Sequence, residues 1–199
     1  FLYTGELFFK PFHSYLVGNT DELNIFYLLN SNNFIPQLLK TEILNNKNIT
    51  FKLNLNAEKI LNYNNFENIL LNSKIQEGLI DVDGTEFEWK NYASFRLFDS
   101  LIYIKDSELI LDSNTQINII NNMELYKFLQ SPKNLKKEFK KINFNFNFNF
   151  DQRILNINDV RIDGISNQKV TELLKNITIK SDNLKNKIYF KNLFNEALK

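Results

Sequence analysis

His13 is the only histidine in the sequence, and the chain contains no cysteine. The absence of cysteine excludes disulfides, thiolate nucleophiles and zinc sites that use sulfur ligands. A Ser-His-Asp or Cys-His arrangement cannot be proposed from one histidine whose partners are not fixed by the sequence. Five scattered glycines also exclude the usual phosphate-binding loops. We therefore expect His13, beside Phe12 in a strand-like segment, to be a structural residue.

Four acidic residues lie close together in the sequence: Asp81, Asp83, Glu86 and Glu88. A calcium loop would need oxygen ligands at defined spacing over about twelve residues, closed by a bidentate glutamate. The sequence after Asp83-Gly84 lacks that continuation, so it favours a turn and a solvated edge, with a weak cation site as the alternative. We therefore predict no catalytic residue, no metal site and no cofactor.

The net charge is +1, whereas a nucleic-acid-binding protein normally carries a clear basic excess. The densest basic run contains Lys133, Lys136, Lys137, Lys140 and Lys141. It is typical of a solvated helix face, and contact with anionic lipid or nucleic acid is the alternative. Nucleic acid is not a predicted partner.

The elements that would position any binding surface are indicated by a two-residue alternation of apolar and polar side chains. It is strictest over residues 141–150, and it recurs in residues 51–56. Successive side chains of a strand point to opposite faces, so this pattern predicts a sheet with one apolar and one polar side. We expect the apolar residues of the first segment to be less exposed than its asparagines: Phe144, Phe146 and Phe148 against Asn143, Asn145 and Asn147.

Turn signals between the strand-like segments favour an antiparallel meander. Asp83-Gly84, Asp106-Ser107 and Asp151-Gln152 each separate two such segments and predict hairpins, and Asp163-Gly164 predicts a further turn. Helical spacing predicts helices over residues 21–30, 35–44, 123–129, 170–177 and 190–198. The predicted fold is mainly β (α+β): an extended, curved antiparallel sheet with several amphipathic helices packed at its ends.

The predicted organisation is a β-sheet region with inserted helices over residues 1–165, followed by a helical tail over residues 166–199. The sequence begins at Phe1 rather than Met and enters a strand-like pattern at once. We therefore expect this chain to be a section of a longer protein.

Several segments resemble AsmA-like envelope proteins, and the likeness extends from about Tyr3 to Gly164. The matching segments are Leu38–Asn46, Asn48–Ala57, Gly78–Lys90, Ser100–Ile104 and Leu109–Asp112. The resemblance implies a periplasmic protein that an N-terminal helix, missing from this sequence, anchors in the inner membrane. It also implies a relation to bridge-like lipid-transfer proteins, a role in phospholipid transport and outer-membrane assembly, and no catalytic residues.

The resemblance and the alternation together predict an apolar β-groove that holds phospholipid acyl chains. The predicted lining residues are the apolar members of two alternating strands: Phe51, Leu53, Leu55, Ile142, Phe144, Phe146 and Phe148. The alternative is a structural or protein-interaction domain whose apolar face is fully covered by the helices. The two differ in whether a continuous apolar groove stays open.

Overall fold

The computed structural model describes residues 2–28, 30, 33–175, 177–178, 188, 191–192 and 194–196. Within these residues twelve strands form a single sheet, and only short helices accompany it. The mainly β fold predicted from the sequence is therefore confirmed. The strands are β1 (Leu2–Phe9), β2 (Phe12–Leu23), β3 (Ile49–Ile60), β4 (Tyr63–Gln76), β5 (Leu79–Asp81), β6 (Glu86–Trp89), β7 (Ala93–Lys105), β8 (Glu108–Ile119), β9 (Lys141–Asn149), β10 (Ile154–Ile162), β11 (Ile165–Ser166) and β12 (Ile177–Thr178).

The strands follow one another across the sheet almost in chain order, from β1 at one edge to β10, which pairs with both β11 and β12. Neighbouring strands are antiparallel except β2 and β3, which pair in parallel, so the sheet is mixed rather than purely antiparallel. Parallel neighbours require a long crossover. Residues 24–48 provide it, with helices α1 (Ile25–Leu28) and α2 (Phe34–Lys40) and a 3₁₀ turn at Ile43–Asn45.

Short turns connect several of the antiparallel neighbours. Asp106 and Ser107 join β7 to β8, both with positive φ (50° and 67°), which is the backbone geometry of a type I′ hairpin. Residues 150–153 join β9 to β10, and Asp163-Gly164 joins β10 to β11, so these three predicted turns are confirmed.

The predicted hairpin at Asp83-Gly84 is wrong. Instead of pairing with each other, β5 and β6 lie end to end, and both pair with β4 on one side and with β7 on the other. The segment between them is held by both neighbours. Val82 N–H donates to Ser100 C=O at 2.9 Å, and the Asn72 side chain donates to Gly84 C=O at 2.8 Å. These bonds keep β5 and β6 in line, whereas the turn signal predicted that the chain reverses its direction there.

The predicted helices are only partly correct. The helix over 21–30 is wrong in its first part, because β2 continues to Leu23 in register with β3 and only the four-residue α1 follows. Helix α2 and the 3₁₀ turn overlap the prediction for 35–44, and α3 (Asn122–Phe128) and α4 (Gln168–Leu173) overlap two others. Most of the predicted helix over 190–198 and much of the predicted tail lie outside the described residues. The proposed boundary after residue 165 falls inside β11, and it stays a prediction.

The lysine-rich segment is exposed as expected, but it does not form the predicted helix. After a 3₁₀ turn at Lys133–Leu135 the chain runs without regular structure into β9. The Asp163 carboxylate accepts hydrogen bonds from the backbone N–H groups of Lys140 and Lys141, at 2.9 and 2.8 Å. An N–H bonded in this way is not available to a helix, so the segment is extended here.

Most of the buried apolar residues that the structure describes fall into four clusters. One packs α2 and the following 3₁₀ turn onto β4, β5, β7 and β8 through Leu39 and Leu44. A second joins β2, β3 and β4 around Leu55. A third packs α3 and the following loop against the opposite end of the sheet through Tyr126 and Phe139, and a fourth packs α4 onto β10. The helices therefore lie at the two ends of the sheet and along its β10 side.

Candidate functional site

The seven predicted lining residues lie on one face of the sheet, although they come from two strands far apart in the sequence. Strand pairing shows this because residues directly opposite each other in a ladder share a face. Phe51 is opposite Ile75, and Phe148 is opposite Leu111. The ladder connects these two pairs through Ile80 and Ile102 on the strands between them, so β3 and β9 present their apolar side chains in the same direction.

One row of this face crosses nearly the whole sheet and is apolar at all but one position. Its members, from β1 to β10, are Leu7, Ser14, Phe51, Ile75, Ile80, Ile102, Leu111, Phe148 and Leu155. At about 4.8 Å between neighbouring strands, the eight steps extend for roughly 38 Å. The row is therefore continuous across the strands, although Ile75, Ile80 and Ile102 at its centre are buried in the cluster beneath α2. The sequence pattern could not reveal this, since it describes one strand at a time.

The lining residues differ in how deeply they are buried. Leu55 is only 3% exposed, whereas Phe51, Leu53, Ile142 and the three phenylalanines of β9 are half-buried. Phe51 packs beside the cluster beneath α2, while Phe144 and Phe146 pack beside the cluster beneath α4. Leu55 belongs to the cluster of β2, β3 and β4, whereas the lining residues that pack beside the helix clusters keep part of their surface accessible.

The middle of the same face contains hydroxyl groups rather than large apolar side chains. Ser100, Ser113 and Thr115 are all buried, and the Oγ atoms of Ser100 and Ser113 lie 2.6 Å apart. Ser113 and Thr115 lie opposite Phe146 and Phe144 in the ladder, so they share the apolar face. Because these hydroxyls bond to one another and to nearby backbone carbonyls, they lie there without a large desolvation cost.

Aromatic side chains form the part of the apolar face that lies nearest α3. The rings of Phe87 and Phe95 stack with their centroids 4.7 Å apart, and Phe66 meets Phe87 edge to face at 5.7 Å. Trp89 packs against Phe128 of α3 with a centroid distance of 5.3 Å. None of these residues was predicted to line the face.

The opposite face carries amides and carboxylates that are hydrogen-bonded to each other in two groups. The Asn147 amide donates to Asp112 at 2.7 Å, and the Asn149 amide donates to Glu108 at 2.6 Å. The Tyr103 hydroxyl donates to the same Asp112 at 2.5 Å, and this hydrogen bond, with burial, raises the pKa of Tyr103 to about 12. Side-chain hydrogen bonds therefore fix the side chains of the polar face, whereas apolar contacts predominate on the apolar face.

One exposure prediction for β9 is met only in part. Phe144, Phe146 and Phe148 are half-buried, but Asn147 is half-buried as well, and so is Asn143. Only Asn145 gives the predicted contrast, since it is exposed. Alternation correctly predicted the direction of these side chains, while their degree of exposure depends on neighbours in other strands.

The residues first considered for chemistry do not assemble into a reactive site among the described residues. His13 packs beside Phe8, with 6.3 Å between ring centroids. Asp81 accepts a hydrogen bond from the backbone N–H of Asp83, and the Asp83 carboxylate accepts one from the N–H of Ser100. Both carboxylates thus accept hydrogen bonds from backbone N–H groups. No group of three or more potential metal ligands occurs in the described part of the chain.

Comparison of the chain with protein-family models, with curated proteins and with solved structures finds no significant match. In the part of the chain that the structure describes, no helix has both the length and the apolar character needed to cross a membrane.

Proposed function

We propose that this chain is a non-enzymatic, lipid-binding section of an AsmA-like protein. In the proposal its apolar face holds phospholipid acyl chains, and the longer protein is anchored in the inner membrane and projects into the periplasm. It would serve phospholipid transport and outer-membrane assembly. The sequence resemblance supports the proposed family and location, while the apolar row across the sheet supports the proposed binding of acyl chains.

The observation that carries the proposal is the apolar row that crosses the sheet from β1 to β10. Burial of each methylene of an acyl chain contributes about 0.8 kcal/mol, so contact with part of this row would retain a chain without any polar contact. The half-buried phenylalanines of β9 leave apolar surface for such contact. Affinity would depend little on the head group, because the face itself offers hydroxyls and no fixed charge along this row.

The alternative is a structural or protein-interaction domain in which the apolar face is fully covered. It is favoured by the buried state of Leu55, and by the clusters through which α2, α3 and α4 pack on the sheet. Under this alternative the face is ordinary core, and no lipid reaches it. The two proposals therefore differ in whether residues between the helices contact lipid.

Site-specific photocrosslinking separates the two. A photoreactive amino acid replaces Phe146 or Leu53 on the apolar face, and Asn145 or Asn56 on the polar face as matched controls from the same two strands. Each variant is irradiated in the presence of labelled phospholipid. Crosslinks from the apolar positions alone support the groove. Equal labelling from both faces, or none from either, favours the covered domain.

A further inference from the structure

The lysine-rich segment after α3 is held in a fixed position at one end of the sheet. Its inward side is formed by Leu135 and Phe139, which are 8% and 5% exposed, and Phe139 belongs to the cluster around α3. The Asn122 amide donates to Phe139 C=O at 2.8 Å, and the Tyr126 hydroxyl donates to Lys137 C=O at 2.5 Å. The lysine side chains are thus presented by an ordered backbone.

This segment concentrates positive charge. Residues 133–141 contain five lysines and one acidic residue, Glu138, so their net charge is 5 − 1 = +4 in a chain of net charge +1. The remaining residues therefore sum to 1 − 4 = −3. None of the ion pairs seen among the described residues involves these five lysines. Four of them are exposed, namely Lys133, Lys136, Lys137 and Lys140.

Two large apolar side chains are exposed beside these lysines. Ile120, which directly follows β8, is 56% exposed, and Met123 in the first turn of α3 is 66% exposed. Asn122 lies between them and is bonded to Phe139 of the lysine-rich segment, so the apolar and basic groups belong to one surface. We call the surface formed by Ile120, Met123 and the lysines of residues 133–141 the basic end.

We infer that the basic end docks on the surface of an anionic phospholipid bilayer. Lysines beside exposed apolar side chains are the combination that binds at a membrane interface, where the charges meet lipid phosphates and the apolar groups enter the acyl boundary. Nucleic acid would satisfy the lysines but would leave Ile120 and Met123 exposed. The inference goes beyond the proposed groove and does not depend on it, because docking requires no acyl chain to leave the bilayer.

Vesicle cosedimentation tests the inference with the intact chain. We expect binding to vesicles of phosphatidylcholine mixed with phosphatidylglycerol, weak binding to phosphatidylcholine alone, and loss of binding at high salt, which screens surface charge. Each lysine near an anionic surface contributes about 1 kcal/mol, which is about fivefold in the partition coefficient. The triple charge reversal Lys136→Glu, Lys137→Glu and Lys140→Glu should therefore reduce binding by roughly a hundredfold or more.

A matched control lies at the opposite end of the sheet. The exposed residues Lys10, Lys47 and Lys105 lie in or beside the turns there, and their reversal to glutamate changes the net charge by the same amount. We expect this control to bind markedly more tightly than the basic-end variant, and Met123→Asp to weaken binding without changing its thermal unfolding. Equal losses in both triple variants would overturn the inference, since they would indicate only general charge attraction.

Two further outcomes are decisive. No binding of the unaltered chain to anionic vesicles would overturn the inference, as would tight binding to a DNA duplex that the vesicles do not compete away. Failure of the proposed groove is a separate result. If position 146 gives no lipid crosslink while the basic end still binds vesicles, the groove fails and the docking surface stands.

Discussion

The central test of this fold is whether the middle of the apolar face is packed core or accessible surface. Two leucines on that face differ in burial and serve as a matched pair. Leu109, beneath the α2 side of the sheet, is 0% exposed. Leu53, one of the predicted lining residues, is half-buried. The same substitution, leucine to alanine, removes the same atoms at both sites.

The two substitutions should lower the free energy of unfolding by different amounts. Leu109→Ala loses the full transfer free energy and leaves a cavity, which amounts to about 3 kcal/mol or more for a fully buried leucine. Leu53→Ala removes three carbon groups at about 0.8 kcal/mol each, and because only a minor part of the half-buried Leu53 is already in water, about 2 kcal/mol is lost. The expected difference between the variants is therefore about 1 kcal/mol or more.

Urea unfolding measures both values through the fluorescence of Trp89, the only tryptophan of the chain. Its ring packs against Tyr92 and Phe128, so unfolding changes its surroundings. The midpoint should fall further for Leu109→Ala than for Leu53→Ala, with similar slopes. Equal free-energy losses at the two positions would refute the reasoning. They would mean that the middle of the face is packed as tightly as the ends, as the covered-core alternative requires.

Two further predictions concern the polar face and the turns. Because the folded pKa of Tyr103 lies above that of an unfolded tyrosine, its contribution to stability is complete below about pH 10 and is lost as the pH rises toward about 12. Asp112→Asn should lower this pKa in a titration followed by tyrosine absorbance, and an unchanged titration would contradict the assigned hydrogen bond. Gly78→Ala should destabilise the fold more than Gly164→Ala in thermal unfolding. Both glycines have positive φ, but only at Gly78 would a Cβ collide with a neighbouring side chain, 1.9 Å from Asn45 Oδ1. Equal effects would argue against that close approach.

Much of the sheet could be predicted because strand direction and turn geometry are local properties. The Phe/Asn alternation of β9 determines which side chains share a face, and the Asp106-Ser107 turn determines one hairpin. Non-local pairing could not be predicted in the same way. The parallel pairing of β2 with β3 depends on the path of the crossover, and no pattern within either strand distinguishes it from an antiparallel neighbour.

The error at Asp83-Gly84 has the same cause, and it bears on the proposed function. A turn signal reports that the backbone can reverse, but β4 and β7 on either side of this segment hold it in line through hydrogen bonds from Asn72 and to Ser100. If the hairpin had formed, β5 and β6 would have occupied two positions across the sheet. Because they share one, Ile80 instead directly joins Ile75 to Ile102, and the apolar row continues without interruption from β4 to β7. The lipid-binding proposal depends on the continuity of the apolar row, and that continuity follows from how β5 and β6 pair with β4 and β7.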